Sequence, residues 1–303
     1  MESTLKRAVA TLALAAVALC LATAEPVSAT DSEGRPLSLT APAARVVSLS
    51  PGITETLFAI GAGSRVVGVT TYCDWPVAAK SRPKVGGFSA STISVEKIVA
   101  LKPDFVIGSG NIHRSVEEAL VRLGIPVFTY APSGFEEIAR DMKALGALTD
   151  SARGAEAAAD SMLATIAKVR VALADLPASA RPTVFWEIYD EPLMTCGAAT
   201  FQHFILEAAG GRDIFADLPG SWPRVGAEDV IRRAPAWILG ADDHGDKMSV
   251  AQIASRPGWS TIPAVRDGRV VLVPAAIVSR PGPRVAEGVL AVAMVLYPER
   301  FKK

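Results

Sequence analysis

A chain of 303 residues, half of them hydrophobic, has room for two modest domains or one large one. Its 31 basic and 31 acidic side chains cancel, and no basic cluster or run of like charges marks it for nucleic acid or a membrane surface. Three histidines and three cysteines leave little material for a metal cluster.

Residues 1–29 read as a secretory signal peptide. Lys6 and Arg7 form a basic start, and "AVATLALAAVALCLA" is an apolar run too short to span a bilayer. The small-x-small patterns "ATA" (22–24) and "VSA" (27–29) place cleavage near 24 or 29. Cys20 follows Leu19 rather than a small residue, which makes it a poor lipid-attachment site. No later stretch approaches the roughly twenty apolar residues a membrane span needs, so the mature chain is expected to be exported, soluble and periplasmic. It keeps Cys73 and Cys196, expected as free or buried thiols, because a bridge would tie its two halves together.

From Arg45 short apolar runs alternate with helix-like segments. "RVVSLS" (45–50) and "RVVGVT" (65–70) read as strands around the short helix "ITETLFAIG". "SVEKIVALKP" is a helix capped by Ser94 and stopped at Pro103, and "DFVIGS" is the next strand. "SVEEALVRLG" and "IPVFTY" repeat the pattern. Residues 150–175 carry no strand signal and no proline. Met162, Ile166, Val169 and Leu173 recur there at helical intervals, giving a helix on the order of 35 Å. The alternation restarts with "TVFWEI" (183–188) and continues through "EDVIRRAP", "AWILG", "GRVVLVP" and a last helix over 284–296. The expected fold is therefore α/β: two lobes of parallel-sheet β-α units, 45–149 and 182–303, joined by one long rigid helix over 150–175.

One unit is written twice. "VEKIVALKPDFVI" from Val95 and "AEDVIRRAPAWIL" from Ala227 align at a constant offset, Glu96 on Glu228 and Pro103 on Pro235. A pseudo-twofold relation would place one glutamate at matching points of each lobe. Acidic residues in a first helical turn are favoured by the helix dipole alone, so position leaves a structural and a docking role equally open.

Ligands of open α/β sheets bind beyond the carboxyl ends of the strands. The loops there hold Tyr72 and Trp75 in "TTYCDWP", Phe88 in "GGFS", Tyr189 in "WEIYDEP", Trp222 in "GSWPRVG" and the run "AIVSRPGPR". Aromatics so placed suit a large, flat, partly apolar ligand, although any one of them could instead cap the core. Enzymatic signatures are missing. "GAGSRVVG" follows a helix and reads as a C-cap turn, and there is no phosphate loop or nucleophile elbow. His113, His203 and His244 lack metal-ligand spacing, and Asp190-Glu191 and Asp242-Asp243 read as solvated turns.

"RVVSLSPGITETLFAIGAGSRVVGVTTYCDWP", with "SVEKIVALKPDFVI", resembles the opening of cobalamin-type periplasmic binding proteins. These are substrate-binding subunits of ABC importers with lobes on one rigid helix, the class III arrangement. "WPRVGAEDVIRRAPAWIL" and "SRPGPRVAEGV" resemble their second lobe, so the likeness spans about 45–300. It implies a cleft in which Tyr72, Trp222 and the segment Ala276, Ile277, Val278, Ser279 and Arg280 meet a corrinoid, and the loop aromatics Trp75, Phe88 and Tyr189 are expected to join them. It also implies that Glu96 and Glu228 dock on arginines of an inner-membrane permease that works with an ATPase. Two departures stand out: Phe88 occupies a place where the family can carry tryptophan, and the cysteines do not match the family's second-lobe disulfide.

The expectation is a monomeric binding protein without catalysis, resident metal or cofactor, whose transported ligand is cobalamin. The nearest alternatives are haem, with Tyr72 or Tyr189 as axial ligand, and a ferric siderophore held by Arg224, Arg280 and Arg284. An exported α/β enzyme is a distant one.

Overall fold

A computed structural model describes residues 25–242 and 249–301. The leader up to residue 24, with Cys20, and the residues Asp243 and His244 lie outside the described residues. Val27–Thr30 (β1) and Pro36–Leu39 (β2) form an antiparallel hairpin where the sequence suggests only leader and flank. Asp31 closes its turn by accepting from the backbone N–H groups of Glu33 and Arg35 at 2.9 and 2.8 Å. Ser32 donates its N–H to the Thr129 carbonyl at 3.0 Å, which fixes the hairpin to the first lobe. A leader cut after residue 29 would remove most of β1, whereas one near 24 leaves the hairpin whole.

The first lobe runs through β3 (Val46–Ser48), α1 (Pro51–Ala59), β4 (Val66–Gly68), α2 (Val95–Ala100), β5 (Phe105–Gly108), α3 (Arg114–Arg122), β6 (Val127–Thr129) and α4 (Phe135–Leu148). Its sheet has the order β4-β3-β5-β6, with every pair parallel. Helices on both faces bury all four residues of β5, which is why "FVIG" reads as a continuous apolar run rather than an alternating one.

Then comes α5 (Ala152–Ala172), 21 residues and about 31 Å long. Its inner face buries Ala155, Ala159, Met162, Ile166 and Val169, and Leu173 follows at its end. A Cβ on Gly154 would stand 2.2 Å from the Ile60 carbonyl oxygen, so the helix abuts the end of α1 at backbone distance. The second lobe follows as β7 (Thr183–Asp190), β8 (Leu193–Thr195), α6 (Phe201–Ala208), β9 (Arg212–Asp213), α7 (Ala227–Arg233), β10 (Trp237–Ala241), α8 (Val250–Ala254), α9 (Pro263–Arg266), β11 (Val270–Val273), α10 (Ala275–Val278), α11 (Val285–Leu296) and α12 (Pro298–Phe301). Its sheet order is β11-β10-β7-β8, with β9 beside the start of β7 and only β8 antiparallel.

Each sheet has an outer core of its own: Val47, Val106 and Leu120 in the first lobe, Phe185, Ile238 and Trp259 in the second. The inner faces share one core. It passes from Phe105 and Phe128 through Met162, Ile166 and Val169 of α5 to Val184, Leu239 and Val289. Because close-packed interiors resist deformation, a linker embedded in that core favours small-amplitude movement of the lobes over wide hinging.

Candidate ligand cleft and inter-lobe seam

In the first lobe β4 leads into the loop of Tyr72, and that loop is tied to the next one. Val69 and Val85 exchange backbone hydrogen bonds with each other's strand segment, and Thr71 donates to the Gly86 carbonyl at 2.9 Å. This brings Phe88 to Tyr72, edge to face at 6.4 Å between ring centres. Beneath Phe88 lies His113, buried completely. Its Nδ1 accepts from the Ser109 N–H at 2.9 Å, so Nε2 carries the hydrogen and donates to the Phe88 carbonyl at 2.8 Å. Burial pushes its pKa below the ordinary imidazole value, and the bond to Phe88 only partly offsets that. The ring is neutral with both nitrogens engaged, so it anchors Phe88 and has no lone pair left for a metal.

In the second lobe the segment 221–225 runs alongside β8. Thr195 donates to Pro223, Gly197 to Ser221 and Val225 to Leu193, at 2.7–3.1 Å. This edge presents Trp222, while Tyr189 stands near the carboxyl end of β7. Tyr72, Phe88 and Trp222 are 58%, 44% and 45% exposed and Tyr189 is 37% exposed, a large apolar area left open on strand-end loops. Below Tyr189 the carboxylate of Glu187 is fully buried and takes two hydrogen bonds of 2.7 Å from Arg256, whose guanidinium also lies over the Trp259 ring at 4.6 Å. Burial raises the Glu187 pKa against the pull of that guanidinium. No sequence pattern pointed to this pair.

Two of the expected contact residues are placed otherwise. Val278 is buried completely and Ile277 almost so, both in the shared core. Their side chains serve packing, which removes them from a side-chain ligand set. Trp75, 48% exposed, lies beside the seam under the Arg284 guanidinium at 4.7 Å. Ala276 and Ser279 are half-buried on α10 and its end. The run is held by Asp242, an exposed turn residue that accepts from the Ala275 N–H at 2.8 Å.

Arg280 crosses between the lobes. It donates to Glu55 of α1 at 2.9 Å and to Asp74 at 2.6 Å. Arg284 lies 3.7 Å from the other Glu55 oxygen and 3.4 Å from Glu287. Burial raises the Glu55 pKa despite Arg280, whereas the bond from Arg280 lowers that of the more exposed Asp74. Burial works against the charge on Arg280, but the bonds to Asp74 and Glu55 outweigh it and raise its pKa. At this seam a Cβ on Gly52 would stand 2.4 Å from the Pro281 carbonyl oxygen, so backbone meets backbone across the lobes. A cavity of about 240 Å³ beside it, lined by Glu55, Phe58, Trp75 and Arg284, is far too small for a macrocycle.

Glu96 and Glu228 sit exposed in the first turns of α2 and α7, one per lobe, each helix leading into the strand that holds the repeated apolar run. Ser94 caps α2 by accepting from the Lys97 N–H, and its hydroxyl donates to Glu96 at 2.9 Å. The Glu96 backbone N–H and that hydroxyl hold its carboxyl below the usual range. Helices that return antiparallel to their strands present their N-termini at the carboxyl edge of the sheet, the edge that bears the cleft loops. Cys73 and Cys196 are buried free thiols, one in each lobe. Among the described residues no group of three or more His, Cys, Asp or Glu is placed to hold a metal ion.

Two parallel-sheet lobes on one embedded helix agree with the sequence comparison. The profile of the periplasmic binding protein family matches residues 46–277. The chain belongs to the periplasmic binding proteins. The vitamin B12-binding protein of Yersinia pestis (strain Pestoides F) is 35% identical over 219 residues, 70% of this chain and 76% of that one. An uncharacterised substrate-binding lipoprotein of an ABC transporter from Bacillus subtilis is 29% identical over 283 residues, 92% of this chain and 88% of its own. The crystal structure of the vitamin B12 binding protein BtuF of Vibrio cholerae superposes with a TM-score of 0.73 at 27% identity, covering 86% of this chain and 99% of that one. The haem-binding protein RhuT of Roseiflexus gives 0.75 at 25% identity, covering 84% and 98%. The architecture is that of class III periplasmic binding proteins. As members of ABC importers these proteins bind small molecules outside the cytoplasm for a membrane permease. They are not enzymes, and they need no cofactor.

Proposed function

We propose that this periplasmic binding protein captures a corrinoid between its lobes and delivers it to an ABC-type permease and its ATPase in the inner membrane. The observation that carries the reading is the set of open aromatics Tyr72, Phe88, Tyr189 and Trp222 on strand-end loops of both lobes. They offer a flat macrocycle apolar faces from two sides. Cobalamin brings its own axial ligands to its cobalt, so the cleft need supply none, whereas haem would call for an axial side chain, for which His113 is engaged and Tyr72 or Tyr189 would have to serve. The 35% identity to a vitamin B12-binding protein supports the same ligand. Glu96 and Glu228, exposed at matching points of the two lobes, are the docking pair for the permease, and the protein acts as a monomer.

The test is titration of the mature protein with cyanocobalamin, cobinamide, haemin and a ferric hydroxamate, followed by tryptophan fluorescence and calorimetry. Saturable 1:1 binding of cyanocobalamin with a submicromolar Kd is expected. Silence with both corrinoids and tight binding of haemin or the hydroxamate would overturn the ligand assignment.

A further inference from the structure

The seam between the lobes raises a question that the aromatics do not answer. Arg280 and Arg284 come from the second lobe to the first, Arg280 meeting Asp74 in the loop of Tyr72, and free guanidiniums in such a place would hold a ligand's carboxylates or an anionic chelate. Neither is free. Arg280 is spent on Glu55 at 2.9 Å and Asp74 at 2.6 Å, and Arg284 on Glu55, Glu287 and the face of Trp75. Two first-lobe carboxylates thus answer two second-lobe guanidiniums. They are not equivalent, however. The Glu55 side chain is 2% exposed, while that of Asp74 is 56% exposed and lies two residues from Tyr72.

We propose that Asp74 is a specificity-determining residue: with Glu55 behind it, it neutralises Arg280, so that the cleft accepts a macrocycle rimmed by uncharged amides and turns away one that presents carboxylates. An anionic ligand reaching for Arg280 must displace Asp74 and leave that carboxylate facing its own charge, which is discrimination by repulsion rather than by a better fit for the preferred ligand. A corrin rim carries carboxamides, whereas haem carries two propionates. Arg224, exposed beside Trp222, lies outside this network. The inference rests on the corrinoid reading but has its own test.

Wild type, Asp74→Asn, Arg280→Gln and the double variant are titrated with cyanocobalamin and haemin at low and high salt. Asp74→Asn removes one charge from a half-exposed loop without changing its shape. It is expected to tighten haemin binding on the order of tenfold and to shift cyanocobalamin less than about threefold. The haemin gain should shrink at high salt, as a freed guanidinium requires, and should vanish in the double variant. Equal changes for both ligands, or no gain for haemin, would reduce the network to a structural tie and overturn the proposal. The corrinoid reading is judged separately, by whether wild type binds cyanocobalamin at all.

Discussion

His113 holds Phe88 by one hydrogen bond, Nε2–H to the carbonyl oxygen at 2.8 Å, from a ring that solvent does not reach. The same ring takes the Ser109 N–H at 2.9 Å, so its removal leaves two backbone groups without partners and a void beneath an aromatic of the cleft. His113→Ala should cost about 3 kcal/mol of stability and weaken ligand binding through misplacement of Phe88. Chemical denaturation and the ligand titration check it. Full stability with full affinity would show that the imidazole does not position that loop.

The two described histidines titrate in opposite senses. The pKa of His113 is depressed by burial, so its contribution is present above the ordinary imidazole pKa of 6.5 and is lost as pH falls through its lower folded value. That of His203 is raised, chiefly by its 3.0 Å bond to Asp213, so its contribution is complete below 6.5 and is lost as pH rises through its higher folded value. His203→Gln should therefore destabilise the protein more at pH 6 than at pH 8, by roughly 1 kcal/mol at the acid end. Thermal unfolding of both proteins across that range gives the difference. A variant equally destabilised at both pH values would mean that the Asp213 pairing carries no charge.

Gly52→Ala would drive a Cβ to 2.4 Å from the Pro281 carbonyl oxygen, and a backbone atom has no rotamer by which to yield. The expected loss is about 1–3 kcal/mol, together with faster hydrogen exchange confined to 50–60 and 279–285. Unchanged stability and exchange would mean that the two backbones are not in close contact there.

The first-lobe elements from β3 to β6 and the linker α5 were legible because each rests on a local rule: apolar runs where both sheet faces are covered, Ser94 as a cap, Met162 to Leu173 at helical spacing. The contacts that organise the site are not local. Glu55 and Arg280 meet across more than two hundred residues, and nothing near either one marks it as half of a pair. Val278 and Arg280 stand two residues apart in one cleft-like motif, yet one end of that short helix is core and the next turn reaches the other lobe. The hairpin of β1 and β2 escaped because its eight strand residues adjoin an export-like segment and draw their order from Asp31 and Thr129. Tyr72 and Phe88 were each visible as loop aromatics, whereas the buried imidazole that positions Phe88 was not.

Glu96 and Glu228 offer the cleanest separation of binding from delivery. Both are exposed, and Ser94 rather than Glu96 caps α2. Each glutamate meets the helix dipole from an exposed position screened by solvent, so their joint removal leaves each lobe folded. Glu96→Ala with Glu228→Ala should keep the Kd for cyanocobalamin within about threefold and leave thermal unfolding unchanged, while uptake into proteoliposomes carrying the cognate permease and ATPase falls at least tenfold. Each single variant should retain part of the uptake, because two contacts on a rigid body act with an effective concentration that one contact lacks. Loss of ligand affinity in the double variant would assign the glutamates to the fold, and full uptake would place the docking surface elsewhere on the two lobes.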